Sequence, residues 1–230
     1  MQVNLPKRLQ AIASLVVPGQ NAADIGTDHG YLAVYLIVNH ICPQVVATDK
    51  ARGPMEAARQ LVDLLSLGQE IDVRLGEGVL VLRPGEVQTV CMAGMGGATI
   101  RNILSEGQSV INSCQRLVLQ PMRGAPGLRK WLVANGFKII AEEIVFEGGF
   151  YYEIMAAEKG VMTLTEDEAE FGPLLLQQKH PLLKGFLEAK KEDLLRLVEE
   201  LRNSPSMDAQ KRLKGLENVI GRMDKVMETL

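Results

Sequence analysis

The stretch of this chain best equipped for chemistry is Asp24-Ile25-Gly26-Thr27-Asp28-His29-Gly30-Tyr31. An apolar run beginning at Ala22 ends there in two carboxylates, an imidazole and two glycines, and the helix-patterned 33–38 follows. Glycine lets the backbone turn sharply and approach a ligand, and the free N–H groups of a new helix favour negative or polar atoms. A nucleotide-like ligand suits such a loop. A plain strand-to-helix turn would use the same residues, and two glycines fall short of the three of a dinucleotide fingerprint. Two further acids bear on the choice. The run 45–49 ends in Asp49, nineteen residues past Gly30 and close to the spacing of ~20 at which an acid reaches ribose hydroxyls. The run 71–75 ends beside Glu77, between Gly76 and Gly78, where a carboxylate can accept from an adenine amino group. A fourth run, 87–93, ends in Gly94-Met95-Gly96-Gly97, a bare backbone suited to a flat ring or to close helix-to-strand packing.

These residues need a scaffold, and the pattern around them predicts one. Asn4-Leu5-Pro6 starts a first helix, with Lys7 and Arg8 in its opening turn, where positive charge opposes the helix dipole. The pair is either solvated or in contact with an anion. Each of the four apolar runs is followed by a helical segment, and 117–120 is a fifth strand followed by a helix over 128–135. Residues 137–146 and 150–157 pair as a hairpin across Glu147-Gly148-Gly149. Five strand–helix units and a hairpin make a seven-stranded, mostly parallel α/β sheet with helices on both faces. Ligands of such sheets sit at the carboxyl ends of the strands, where every residue named so far lies.

Composition changes near Gly160. An acidic connector over 163–171 and Gly172-Pro173 lead into a segment without strand pattern. Leu183, Leu187, Lys190, Leu194, Leu197 and Leu201, then Leu213, Leu216, Ile220, Met223, Met227 and Leu230, recur in steps of three and four. The link 203–206 is too short for a parallel crossover, so the two helices form an antiparallel coiled-coil hairpin. The expected division is a domain over 1–160 and a helical unit over 161–230. The charges of that unit are balanced, and Lys211-Arg212-Lys214 is its local cluster able to touch phosphate.

The 230 residues are 47% hydrophobic, enough to fill a substantial core, and a formal charge of −3 argues against a protein that coats nucleic acid non-specifically. Cys42, Cys91 and Cys114 are an odd, widely spaced set that fits neither a disulfide framework nor a zinc site, which points to a reducing cytoplasm. His29, His40 and His180 lack ligand spacing, so no metal is expected. No apolar run nears the ~20 residues of a membrane span, no signal segment is evident at the N-terminus, and no Gly-x-Ser-x-Gly elbow indicates acyl transfer. The oligomeric state stays open, and a monomer is compatible with the sequence.

A glycine loop after strand one, acids after strands two and three, and Ala-Gly-Met-Gly-Gly after strand four resemble a class I S-adenosylmethionine-dependent methyltransferase. The likeness is closer still to the bacterial TrmK family, through Lys-Arg-Leu at 7–9, Asp-Ile-Gly-Thr-Asp-His-Gly-Tyr-Leu at 24–32, Gly-Pro at 53–54, Ala-Gly-Met-Gly-Gly at 93–97, Leu-Gln-Pro at 119–121, Leu-Arg-Lys-Trp-Leu at 128–132 and Tyr-Glu-Ile at 152–154. The resemblance implies transfer of the methyl group of S-adenosylmethionine to N1 of adenine 22 of tRNA. It implies a cofactor held by Arg8, Asp24, Gly26, Asp28, His29, Gly30, Asp49, Lys50, Glu77, Gly78, Ala93, Gly94, Met95 and Gly96. It implies chemistry at Asp28, His29 and Tyr31, and RNA contacts from Gly96, Gly97, Gln120, Pro121, Arg123, Arg129 and Lys130. Met122 follows Gln-Pro where some members carry asparagine, so no base contact is carried over to it. A nicotinamide enzyme on the same fold, a non-enzymatic adaptor, and a methyltransferase for another RNA, a small molecule or a protein are the alternatives that the residues leave open.

Overall fold

A computed structural model describes residues 4–202 and 206–230. It divides into two compact units, Met1–Leu174 and Leu175–Leu230. The first unit begins with α1 (Lys7–Ser14), β1 (Ala22–Ile25), α2 (Tyr31–Val38), β2 (Val45–Asp49), α3 (Arg52–Leu64) and β3 (Ile71–Leu75). It continues with β4 (Thr89–Gly96), α4 (Gly97–Glu106), α5 (Gln108–Ile111), β5 (Arg116–Arg123), α6 (Ala125–Ala134), β6 (Phe137–Glu147), β7 (Phe150–Lys159) and α7 (Glu166–Phe171).

The seven strands form one sheet in the order β3-β2-β1-β4-β5-β7-β6. The first five are parallel, β7 runs antiparallel to both its neighbours, and β6 therefore runs with the rest. Side-chain alternation divides the core between the two faces. Ala22, Ala47, Cys91 and Val118 pack with α1–α3, while Ala23, Val46, Val90 and Leu117 pack with α4–α6. Covered on both faces, β1 is buried throughout, and its one polar side chain, Asp24, is hydrogen-bonded by the Thr27 hydroxyl. The chain winds outward from β1 to β3 and then returns to β4 on the other side of β1. This reversal opens a crevice at the carboxyl ends of β1 and β4.

The connector after β7 belongs to the first unit, so the observed division falls between Leu174 and Leu175 instead of near Gly160. Its acidic run forms α7, begun by a capping box in which the Thr165 hydroxyl accepts from Glu168 N–H and the Glu168 carboxylate accepts from Thr165 N–H. The far end of α7 is held by Arg129, which donates to the carbonyls of Ala169 and Glu170. Arg129 also pairs with Glu142 and Glu153, each at 2.7 Å.

In the second unit, α8 (Pro173–Gln177) crosses the division, and α9 (Leu183–Arg202) and α10 (Met207–Met227) pair side by side. The ion pair Lys191–Asp224 joins the first half of α9 to the end of α10, and Arg202–Glu217 joins the end of α9 to the middle of α10, so the helices are antiparallel. Part of the expected link, 203–205, lies outside the described residues. The buried residues of the pair include Phe186 and Val198, which stand outside the three-and-four spacing expected for α9. Among the described residues, no helix is long and apolar enough to cross a membrane. The three cysteines are free and buried.

Candidate active site

A cleft of about 750 Å³ opens at the crevice between β1 and β4, within the usual range for small-molecule sites. One wall is the loop that leaves β1. Gly26 has φ +74°, a conformation that favours glycine, and its N–H and that of Thr27 both donate to the Thr48 carbonyl at 2.8 Å. The loop is thereby stitched to the end of β2. Inside it, Asp24 is 4% exposed and accepts from the Thr27 hydroxyl at 2.6 Å. Burial pushes the Asp24 carboxyl up to about 6; the Thr27 bond pulls it down, and the nearby Asp49 charge adds to the rise.

Asp49 closes β2 with its carboxylate aimed back at this loop. Its Oδ2 accepts from Asp28 N–H at 3.3 Å and its Oδ1 from Ala51 N–H at 2.9 Å. Two fixed bonds orient the group and leave it acceptor capacity toward the cleft. Asp28 carries φ +54°, rare for a residue with a side chain but tolerated by aspartate. That backbone turn leaves the Asp28 and His29 side chains on the rim, 70% and 55% exposed, with His29 Nε2 3.6 Å from Asp28 Oδ1. The Tyr31 ring stands 5.8 Å from that of His29.

The opposite wall is the glycine stretch of β4, which continues to Gly96, past the expected end of the strand, with an irregular register against β5. Gly97 starts α4 where a Cβ would lie 2.7 Å from the Gly124 carbonyl oxygen. Only glycine lets that helix begin so close to the turn after β5. Behind this wall, Gln120 is fully buried, and its Oε1 accepts from Gly94 N–H at 3.0 Å and from Arg8 Nη1 at 3.4 Å. Arg8 reaches the cleft from α1 and also stands over the Tyr152 ring at 5.8 Å.

The residues fit a nucleoside-bearing amino acid. Acidic acceptors lie at two points of the cleft, backbone of Gly76, Gly78, Ala93, Gly94 and Gly96 lines the rest, and Thr48 Oγ1 is buried in the wall with no protein partner. An orphaned buried hydroxyl at a cleft surface is what a ligand's polar atom would satisfy.

Comparison with known proteins accords with this geometry. The family model described as TrmK, tRNA (adenine(22)-N(1))-methyltransferase, matches residues 22–225. The chain belongs to the TrmK family. It is 31% identical to the tRNA (adenine(22)-N(1))-methyltransferase of Bacillus subtilis, over 100% of this chain and 98% of that one. The crystal structure of the B. subtilis TrmK superposes with a TM-score of 0.89 at 30% identity, covering 98% of this chain and 100% of that one. The structure of Streptococcus pneumoniae Sp1610, a putative tRNA (m1A22) methyltransferase in complex with S-adenosyl-L-methionine, gives 0.88 at 32% identity over 97% and 100% of the two chains.

Within this TrmK chain, the cleft is lined by Arg8, Asp24, Gly26, Asp28, His29, Tyr31, Asp49, Lys50, Gly78, Ala93, Gly94, Met95 and Gly96. Two residues expected beside the cofactor stand apart. Gly30 faces away, and a Cβ on it would lie 3.2 Å from Ala58 Cβ, so its place is explained by helix packing. Glu77 is exposed at the start of a short 3-10 turn, outside the cleft lining, while its neighbours Gly76 and Gly78 reach in.

The residues expected at RNA divide similarly. Gly96 lines the cleft, and Arg123 is exposed beside it, its Nε 3.8 Å from where a Gly96 Cβ would be. Gly97, Gln120 and Pro121 are buried as supports of the glycine wall. Arg129 is a correction: it is fully buried, its guanidinium consumed by Glu142, Glu153 and the α7 carbonyls, so it touches no RNA. Lys130, one residue on, is exposed and paired with Glu166 instead of lying at the cleft. The sequence pattern also missed Pro6, Leu9, Thr27, Thr48, Thr99 and Ile103, which line the cleft. Of these, Thr27 and Thr48 sit inside motifs already recognised, one within the β1 loop and one before Asp49, and a polar residue at an otherwise apolar strand end was the available signal. Among the described residues no group of three metal-ligating side chains occurs.

Proposed function

We propose that this chain transfers a methyl group from S-adenosylmethionine to N1 of adenine 22 of tRNA. The observation that carries this is the cleft at the reversal of strand order, walled by the Asp24–His29 loop and the 93–96 glycine stretch, in a chain of the TrmK family. When bound, the cofactor supplies an electrophilic methyl group on a positively charged sulfur.

Neutral adenine carries a lone pair and no proton at N1, so methylation there calls for alignment more than for a general base. Asp49 and the orphaned Thr48 hydroxyl would hold sugar hydroxyls of the cofactor, and Asp24, Gly26 and Arg8 would hold its amino-acid end. The backbone of 93–96 leaves a flat surface for the target ring, with Gln120 and Gly97 fixing that surface from behind. Methylated adenine bears positive charge, and Asp28, exposed on the rim, is the carboxylate placed to stabilise it or to take a proton from its amino group. His29 is the neighbouring base and Tyr31 an exposed ring for stacking. A tRNA substrate fits a cytoplasmic enzyme.

The test incubates the protein with methyl-labelled S-adenosylmethionine and unmodified tRNA, followed by nucleoside mapping. Label as 1-methyladenosine at position 22 is expected. Label at another nucleoside, or none above background, would overturn the assignment.

A further inference from the structure

The sheet does not end evenly. The pairing of β5 with β7 stops at Leu119↔Met155, whereas β6 and β7 go on pairing to Glu147↔Phe150. Residues 150–154 of β7 therefore have strand partners on one side alone. They make a two-stranded arm about 15 Å long, at ~3.3 Å per residue. Since β6 runs parallel to β1 and β4, the arm projects from the same edge of the sheet that holds the cleft.

The arm is docked against α1. Glu147 Oε1 accepts from Lys7 N–H at 2.6 Å, Val145 joins the core that contains α1, and Arg8 stands over Tyr152. The cross-strand pairs Val145↔Tyr152 and Glu147↔Phe150 share one face of the arm, and Phe146↔Tyr151 shares the other. On the α1-facing side, Arg8, Tyr152 and Phe150 form a line that begins in the cleft wall and runs outward. Phe150 is 67% exposed. Four of the chain's ten aromatic residues (Phe, Tyr and Trp) fall between 146 and 152. An exposed phenyl ring contributes little to the fold, and aromatic rings beside a guanidinium form the combination on which unpaired bases stack.

We propose that the α1-facing side of this arm, carried by Phe150 and Tyr152 and continued into the cleft by Arg8, is a stacking surface for an unpaired base of the RNA beside the target adenine. The proposal rests on the reading of the chain as a tRNA methyltransferase, and its occupant is chosen by continuity with that site. A second protein copy on the same ring is the competing occupant.

The experiment compares wild type, Phe150→Ala, Phe150→Trp and Phe146→Ala for tRNA affinity, tRNA KM, cofactor affinity and sedimentation. Phe150→Ala is expected to weaken tRNA binding and raise KM by about 5- to 150-fold, the loss of one stacked base. Cofactor affinity should be unchanged, Phe150→Trp should restore binding, and Phe146→Ala, on the other face, should behave as wild type. In a Trp131→Phe background, F150W fluorescence should be quenched by tRNA. Wild-type tRNA affinity and KM in Phe150→Ala would overturn the proposal, as would a wild-type dimer that this substitution dissolves. If wild type binds tRNA without methylating adenine, the assigned reaction fails while the binding comparison still decides the stacking surface. If wild type binds no tRNA, both fail.

Discussion

Replacing Asp24 with asparagine should make the protein more stable and a worse enzyme, and the two effects have one cause. The carboxyl is buried inside the β1 loop, with the Thr27 hydroxyl as its hydrogen-bond donor. Burial raises it from 3.8 to about 6. Between those values the folded protein keeps a proton that the unfolded chain has lost, so stability falls as pH rises through the window and stays lower above it. A rise of this size corresponds to ~3 kcal/mol withheld from the folded state once Asp24 is ionised. Asparagine has the same shape, keeps an oxygen for Thr27 and carries no charge. Asp24→Asn should therefore gain about 1–3 kcal/mol at about pH 8, roughly 2–12 °C in Tm for a chain of this size, and almost nothing near pH 4. The assay is thermal unfolding of both proteins across that range, where the difference between variants cancels carboxylates common to both. Calorimetry with S-adenosylhomocysteine at about pH 8 should show affinity lowered about 10- to 150-fold, the value of one charge-assisted bond. A variant whose stability advantage does not grow with pH, or whose cofactor affinity is unchanged, would refute the reasoning.

Three further outcomes are expected. Asp49→Ala should weaken cofactor binding by about 10- to 150-fold in the same calorimetric titration, because it removes a charged acceptor and frees the Asp28 and Ala51 N–H groups it holds. Arg129→Met should cost about 3–5 kcal/mol in denaturant unfolding, since it leaves Glu142, whose carboxyl burial already pushes up, without its cation; a loss below about 1 kcal/mol would show that the network is dispensable. Asp28→Asn suits the left-handed backbone at that position, so cofactor binding should persist while single-turnover methyl transfer to tRNA falls about tenfold or more. An unaffected rate would reduce Asp28 to a scaffold residue.

The parts of the fold that could be read from the sequence are those written in consecutive residues. The run Ala22–Ile25, the glycines after it and the acid at Asp49 each announce a strand end locally, and parallel topology then brings the ends together without further information. The capping box Thr165-x-x-Glu168 is equally local, but it lies at the head of an acidic run, which reads as solvated connector. Other features depend on chain separation. Gln120 meets Gly94 across 26 residues and Arg8 across 112. Arg129 meets Glu142, Glu153 and Ala169 at 13, 24 and 40 residues' distance. No periodicity marks such partners. An arginine inside Leu-Arg-Lys-Trp-Leu looks like an RNA contact until the fold surrounds it with carboxylates.

The cleft wall at 93–96 is glycine-rich backbone, which has little side-chain packing of its own and would be loose if left to itself. It is made stiff from behind: Gln120 holds Gly94 N–H, the Gly124 turn abuts Gly97, and Arg8, which also lines the cleft, ties Gln120 to α1 and to Tyr152. A methyl transfer that depends on alignment draws its precision from this backing. Gln120, expected at the RNA and found buried behind the wall, therefore acts through the geometry of Gly94, and the arm that carries Tyr152 is mechanically connected to the surface on which the target base would lie.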